Sequence, residues 1–364
     1  MKRAALAVTL ADAAVLAVRW GAGCCIGRGS VPEPGYDASI LAPSGRALSS
    51  AETVAALQQR ADGYFLSLGN QEAAPEIDDL VEILEPMIES AGFGFMAACF
   101  ANPALGRTMY QGHLFQDGRL LMNVPQVLAR RLSGRVMAIG YDIIAAGPAA
   151  IRARLVAARE QNVALALLDA TSLAHTAMIA EALAGQILIG GAAWMAGDGP
   201  DTAEPEAPTG KLAILSGAQD RQTLFQLAIA REAVAFHQID PARGDAVETA
   251  VTWAAQQVGA FIISASARPG LAQPAPSGVG LLPDIAEGLA ALGVRRFVIT
   301  GADTAAMIMD RLGATQLLAG AAEGGMRWLQ AGDYNLLLKP GGFGARHLLA
   351  DGFEPQIRRN DAAE

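Results

Sequence analysis

Short apolar runs of four to eight residues alternate along this chain with stretches whose apolar positions recur every three or four residues. Before residue 197 the runs are Ala4–Leu10, Tyr64–Leu68, Phe93–Phe100, Val136–Ile139, Val163–Leu168 and Gln186–Ile189, and the helical patterns include Glu76–Ala91 and Ala149–Gln161. Continuous apolar runs separated by helices predict strands buried on both faces, hence mostly parallel sheets flanked by helices. From Gly197 to Gly210 the pattern stops: three prolines, four acidic residues and no large apolar side chain read as a linker. The alternation then resumes with strands at Lys211–Leu215, Ala233–Gln238, Ala260–Ser264, Phe297–Thr300 and Tyr334–Leu338. Helices are expected from Gln222, from Asp245, over Pro283–Leu292 and over Ala305–Leu312.

The pattern therefore predicts two α/β domains, residues 1–196 and 211–364, each a mostly parallel sheet flanked by helices, joined by a linker over 197–210; open sheets of this kind bind ligands at the carboxyl ends of their strands, where junctions converge on one cleft. A length of 364 residues gives each domain enough chain for its own core. Hydrophobic residues make up 52% and aromatic ones only 5%, with 40 glycines, which suits small-residue helices packed on sheets through tight turns. A formal charge of −9, from 27 Lys+Arg against 36 Asp+Glu, argues against nucleic acid as the main partner and leaves room for a small anion in a local pocket. Adjacent Cys24 and Cys25 make a poor disulfide pair, and with Cys99 they suit a reducing cytoplasm. Met1-Lys2-Arg3 and the apolar run to Val18 also resemble the charged and apolar regions of a signal peptide. Asp12 and Arg19 interrupt that pattern, and a strand leading into a helix explains the same residues. No segment reads as a membrane span.

Several glycine turns close predicted strands and open predicted helices. In Ile299-Thr300-Gly301-Ala302-Asp303-Thr304, backbone N–H groups and the helix dipole face one point, which attracts phosphate. Gly301 permits close approach, Thr304 can donate a hydroxyl, and Asp303 can hold a magnesium ion; a plain helix cap at Asp303 or Thr304 is the alternative. Leu338-Lys339-Pro340-Gly341-Gly342-Phe343-Gly344 sends a lysine out of a strand into three glycines, a pattern that fits an anion nest or an ordinary tight turn. Leu215-Ser216-Gly217-Ala218-Gln219-Asp220, with Thr223 and Gln226 behind it, forms a third junction. Glu323-Gly324-Gly325-Met326 is expected to close over adenine, with Trp328 a candidate for stacking there. Neither G-x-G-x-x-G after the first strand nor G-x-x-x-x-G-K-[ST] occurs, which counts against Rossmann oxidoreductases and P-loop proteins. His113, His175, His237 and His347 show no metal-ligand spacing.

Taken together, these segments resemble the four-carbon acid sugar kinase family over nearly the whole chain. Ser216-Gly217 with Thr223 and Gln226 is similar to its G-S-x-x-x-x-T-x-x-Q segment, Thr300–Thr304 to its G-G-[DE]-T turn, and Leu338–Gly344 to its L-K-x-G-x-F-G closure. The resemblance implies that Ser216, Gly217, Thr223, Gly301, Asp303, Thr304, Gly324, Gly325, Lys339, Gly341, Gly342 and Gly344 surround ATP, with Mg2+ as the accompanying ion. In the first domain, Ser44–Leu48 resembles S-R-x-L, and Asn102–Thr108 with Gly112-His113 resembles P-x-x-G-R-x-T-x-x-G. Asp169-Ala170 and Gly190–Ala193 resemble D-A and G-S-A-G. Arg46, Arg107, His113 and Gly191 thereby become candidates for holding a small acidic sugar, the arginines at its carboxylate. The family's opening D-D-x-T-G-A is reduced to Thr9-Leu10-Ala11-Asp12-Ala13-Ala14, leaving Asp12 as the catalytic candidate. Its K-x-D-S-T-L-R-G segment is replaced by Tyr64–Gln71, which lacks the lysine, aspartate and arginine. The expected partners are ATP and a sugar acid, without nucleic acid or membrane, and a homo-oligomer is compatible with this reading. The expected activity is phosphorylation of a tetronate or 3-oxo-tetronate, or, where the altered segments have cost transfer, binding of nucleotide and metabolite alone.

Overall fold

The apolar runs Phe93–Phe100, Lys211–Leu215, Ala260–Ser264 and Phe297–Thr300 contain strands buried along their whole length. A computed structural model describes residues 3–7, 10–30, 32, 36, 38–42, 63–67, 84–85, 88, 94–184, 188–196, 203–266, 278–340, 343–351 and 353. Two compact units account for them: Met1–Glu206 together with Ala314–Ala321, and Ala207–Gly313 together with Ala322–Glu364. The linker read from the sequence contains the first of these boundaries. The return of Ala314–Ala321 to the first unit has no counterpart in the sequence pattern.

In the first unit the strands are β1 (Arg3–Ala7), β2 (Cys24–Arg28), β3 (Ala38–Ala42), β4 (Gly63–Ser67), β5 (Met96–Cys99), β6 (Arg107–Tyr110), β7 (His113–Gln116), β8 (Arg119–Asn123), β9 (Arg135–Ile139), β10 (Val163–Leu168) and β11 (Leu188–Gly191). Their helices are α1 (Leu10–Trp20), α2 (Val124–Leu128), α3 (Tyr141–Ala145), α4 (Pro148–Glu160) and α5 (Leu173–Leu183). The sheet order β2-β3-β1-β4-β11-β5-β10-β9 is parallel throughout. Residues Gln316–Leu318 add an antiparallel edge along β2. On α1, Leu10, Ala13, Leu16, Ala17 and Trp20 are buried, the spacing of one helix face; Asp12 is buried with them and is the exception to be explained. β6, β7 and β8 form a separate antiparallel meander. Its two-residue turns, Gln111-Gly112 and Asp117-Gly118, both have positive φ at each position, as twisted hairpins require.

The second unit carries β12 (Leu212–Ser216), β13 (Ala235–Gln238), β14 (Phe261–Ser264), β15 (Arg296–Thr300), β17 (Met326–Ala331) and β18 (Tyr334–Lys339); β16 (Gln316–Glu323) precedes β17. Its helices are α6 (Arg221–Ala233), α7 (Ala246–Ala255), α8 (Leu282–Ala291) and α9 (Ala302–Arg311). The order β13-β14-β12-β15-β18 is parallel, with β17 antiparallel to β18. Strands β2 and β3, the meander and the β16 and β17 pair are absent from the sequence reading. The helix expected over Glu76–Ala91 lies mostly outside the described residues, Leu84, Glu85 and Ile88 being helical. Among the described residues no helix is long and apolar enough to cross a membrane.

Cys24, Cys25 and Cys99 are free thiols and all are buried. Burial raises the Cys99 thiol to about 12, with the nearby Asp169 carboxylate adding to the shift and a backbone hydrogen bond opposing it. The native protein should therefore leave all three thiols unreacted toward Ellman's reagent at pH 8 over minutes, and release all three in guanidinium. Rapid reaction of any thiol in the native state would contradict this packing.

Candidate functional site

Parallel strands of an open α/β sheet end at one edge, and in the second unit that edge is polar. Ser216 on β12 is in register with Thr300 on β15, and Thr300 with Lys339 on β18; on the other side Ser216 pairs with Ser264, and Ser264 with Gln238. Hydroxyls connect the row: Ser216 Oγ lies 2.6 Å from Thr300 Oγ1 and 2.9 Å from Ser266 Oγ. The Lys339 side chain is only 2% exposed, and its ammonium donates to Thr223 Oγ1 at 2.8 Å and to the Pro340 carbonyl at 3.0 Å.

Two helices start from this edge, and their caps differ. The Asp220 carboxylate caps α6 by accepting from the Thr223 amide at 2.8 Å. Gly301 opens α9 at φ 98° and makes no side-chain cap, so the first amides of α9 are left for another acceptor. The cap expected at Asp303 or Thr304 is not what begins this helix: Asp303 is exposed and Thr304 is buried. Space is the second constraint, because a Cβ on Gly217 would sit 2.1 Å from Thr304 Oγ1 and one on Gly301 3.2 Å from the Ala218 amide. These junctions thus converge around one small cradle that a side chain would fill.

The closure turn is fastened to the same helix. Gln226 Nε2 donates toward the carbonyls of Phe343, Gly344 and Ala345, and Gln222 Nε2 donates to Gly344 at 2.9 Å. Gly324 and Gly325 form a tight turn with φ of 57° and 80°, and Gly325 lies against the Phe343 ring. Gly341 and Gly342 lie outside the described residues. Trp328 does not offer a stacking face: it is 1% exposed within β17, donates to Glu323 Oε2 at 2.6 Å and packs under Arg296. Its place on an inward-facing strand position overrides the proximity to Gly324–Gly325 that suggested adenine.

In the first unit the corresponding edge carries charge. Asp12, in the first turn of α1, is 2% exposed, and Arg107, at the start of β6, is 0% exposed. Burial pulls the Arg107 guanidinium below its usual range, and the Asp12 carboxylate opposes that shift. Arg107 is buried, and a buried guanidinium needs hydrogen bonds or a counter-charge inside the protein. Arg46 lies outside the described residues. Gly191 ends β11 at φ 153°, in register with Ser67 and Cys99, and a Cβ there would meet Met195 Sδ at 2.2 Å and the Cys99 carbonyl at 2.8 Å. His113 is held within the meander, Nδ1 3.0 Å from the Gln111 carbonyl and Nε2 3.2 Å from Asn123 Nδ2.

Asp169 is a residue whose position the sequence reading did not use. It follows β10, is buried, and accepts hydrogen bonds from the amides of Gln111, Gly112 and Tyr141, the last two at 3.0 and 3.1 Å. Burial raises its carboxyl above the ordinary value, against the three amides and His113, which lower it. Among the described residues no three His, Cys, Asp or Glu side chains cluster as metal ligands.

Two family models match this chain. One, described as a nucleotide-binding C-terminal domain, covers residues 213–349, and the other, a sugar-binding N-terminal domain, covers residues 72–198. A 3-oxo-tetronate kinase of Pseudomonas fluorescens is 30% identical over 364 aligned residues, spanning 85% of this chain and 85% of that protein. One of Burkholderia multivorans is 29% identical, spanning 90% of this chain and 88% of that protein. Of the solved structures, a Salmonella typhimurium LT2 protein provisionally called a tRNA synthase is 21% identical, with a TM-score of 0.76 over 95% of this chain and 97% of that one. A Haemophilus influenzae protein is 20% identical, with a TM-score of 0.73 over 96% of this chain and 99% of that one. At these identities the two structures speak for the shared fold.

Two measurements check the geometry. Gly217→Ala forces a methyl group against Thr304 and should cost about 1–3 kcal/mol in urea unfolding; an unchanged midpoint would separate the two residues. For Asp169, the folded state holds the proton more tightly than the unfolded chain, so its contribution to stability is full below about pH 4 and lost as pH rises through the folded value. The stability of the wild type minus that of Asp169→Asn should therefore fall between pH 4 and pH 7, and a rise over that range would reverse the assignment.

Proposed function

Because the chain belongs to the four-carbon acid sugar kinase family, we propose that it transfers the terminal phosphoryl group of ATP to a hydroxyl of a small sugar acid of the tetronate or 3-oxo-tetronate type. The observation that carries this reading is the cradle at the carboxyl ends of β12, β15 and β18, in a chain whose relatives of comparable length are 3-oxo-tetronate kinases. The uncapped start of α9 with Gly217 and Gly301 suits phosphate oxygens, and Lys339, held by Thr223, supplies positive charge beside them. Exposed Asp303 suits an Mg2+ ion carried by the nucleotide, since Mg2+ commonly takes one or two carboxylates and completes its shell with phosphate and water. Gly324, Gly325 and Gly344 with Phe343 are assigned to closing the nucleotide site, and Gly341 and Gly342, outside the described residues, are assigned to it from the sequence.

On the acceptor side, Asp12 orients the sugar-acid hydroxyl and takes its proton as the new P–O bond forms and ADP leaves. Arg46, Arg107, Gly191 and His113 are assigned to binding the acid. Such transfer rests on positioning and charge neutralisation, which buried, fixed groups supply without reorganisation. The three buried free thiols support a reducing cytoplasmic setting. One observation favours a second reading: Tyr64–Gln71 lacks the lysine, aspartate and arginine of the family's substrate segment. On that reading the protein binds nucleotide and metabolite, with transfer weakened or lost.

A panel of tetronates and 3-oxo-tetronates with Mg-ATP, followed by ADP release, decides between them. We expect turnover that requires the acid and stops with EDTA, and a loss of about a hundredfold or more in kcat for Asp12→Asn with the Kd for ATP changed less than twofold. ATP binding without turnover on any acid would leave the second reading, and failure to bind ATP would remove both.

A further inference from the structure

We infer that Gln226 is a positioning residue whose buried side-chain amide holds residues 343–345 against α6 and, through them, sets how tightly nucleotide is held. Its effect on nucleotide rests on the ATP site proposed above; its hold on the turn does not. Gln226 lies within α6 and is 0% exposed. Its Nε2 donates toward three consecutive carbonyls, those of Phe343 at 3.1 Å, Gly344 at 3.2 Å and Ala345 at 2.9 Å. Carbonyl oxygens that converge on one point repel one another unless a donor stands between them, so this backbone path depends on the amide it surrounds. The other end of the amide has no such role: Oε1 is buried and meets no donor among the described residues. An acceptor left unpaired in the interior is a cost, and the bonds made by Nε2 are what offset it.

Neighbours on the same helix share the task. Gln222, one turn earlier, donates through Nε2 to the Gly344 carbonyl at 2.9 Å. Thr223, three residues before Gln226, accepts from the Lys339 ammonium at 2.8 Å. Helix α6 therefore fixes the chain where it leaves β18 and again at residues 343–345. Apolar packing adds to this: a Cβ on Gly325 would lie 3.0 Å from the Phe343 ring, and one on Gly344 2.4 Å from Leu348. Packing of this kind is non-directional, whereas the amide specifies which carbonyls face the helix.

The chain carries its own reporter of this hold. Arg346, directly after the held residues, is exposed, with its guanidinium 5.3 Å from the centre of the Phe225 ring on α6. Trypsin cleaves after arginine only where the backbone opens locally, so the rate of cleavage after Arg346 follows the opening of this segment. Arg243, exposed between β13 and α7 in the same unit, serves as the reference site.

The test uses the full-length protein, without and with Mg-ATP. Gln226→Glu keeps the size of the side chain and sets a carboxylate against three carbonyls; Gln226→Met removes the donor without adding charge. Cleavage after Arg346, relative to Arg243, should speed up by about tenfold or more in Gln226→Glu and about threefold in Gln226→Met, with a smaller gain in Gln222→Ala. The Kd for Mg-ATP should rise in the same order, whereas a glutamine that serves stability alone would leave it unchanged in the folded variant. Unchanged relative cleavage in folded Gln226→Glu overturns the inference; should that variant fail to fold, unchanged cleavage in Gln226→Met and Gln222→Ala does so. Faster cleavage with an unchanged Kd for Mg-ATP overturns the positioning role. A wild type that does not bind Mg-ATP removes the ATP site, while cleavage after Arg346 still decides whether Gln226 holds the turn.

Discussion

A parallel strand covered by helices on both faces can carry polar side chains only where it ends. That constraint organises both units, because neither main sheet has a solvated face on which to place chemistry. Along β12, β14 and β15 every residue is buried, and the first hydrogen-bonding side chains reached at the carboxyl ends are Ser216, Ser264 and Thr300. In the first unit, β1, β5 and β10 run through apolar residues, and Asp12, Arg107 and Asp169 are buried charged side chains outside those strands. Each of these groups must then find partners within the protein, and the partners it finds set the geometry of the edge.

The two units meet that requirement differently. In the second, neutral hydroxyls bond one another in a row, a single ammonium bonds a threonine, and glycines keep a gap at the start of α9. Such an edge is preorganised for an anion and pays no internal ion-pair cost while waiting for one. In the first, two carboxylates and a guanidinium are buried, and each is costly to take out of water unless hydrogen bonds or charge inside the protein answer it. The second unit's edge is thus built on neutral dipoles and space, and the first unit's on buried charge.

Much of this was legible in the residues themselves. The apolar runs and the linker were visible because burial on two faces and polar, proline-rich connection both leave local compositional marks. Gly217, Gly301, Lys339 and Asp12 could be singled out because glycine, lysine and a lone acid at strand ends are locally unusual. The meander was missed although Gln111-Gly112 and Asp117-Gly118 are two-residue hairpin signals, since short strands with few β-branched residues weaken the alternation around them. The strands at Cys24–Arg28 and Ala38–Ala42 were missed for a related reason, their small residues giving a faint pattern.

The local sequence determined the strongly apolar strands, several of the helices and the turns that need glycine, because these follow from periodicity and backbone sterics over a few residues. Only the tertiary structure decided that Ser216, Thr300 and Lys339 share a register and that Ala314–Ala321 belongs with the first unit. It likewise decided that Trp328 and Arg107 are inside. Each of these depends on strand order and on which groups are removed from water together. Strand order is set by packing between residues far apart in the chain, and no local pattern encodes it.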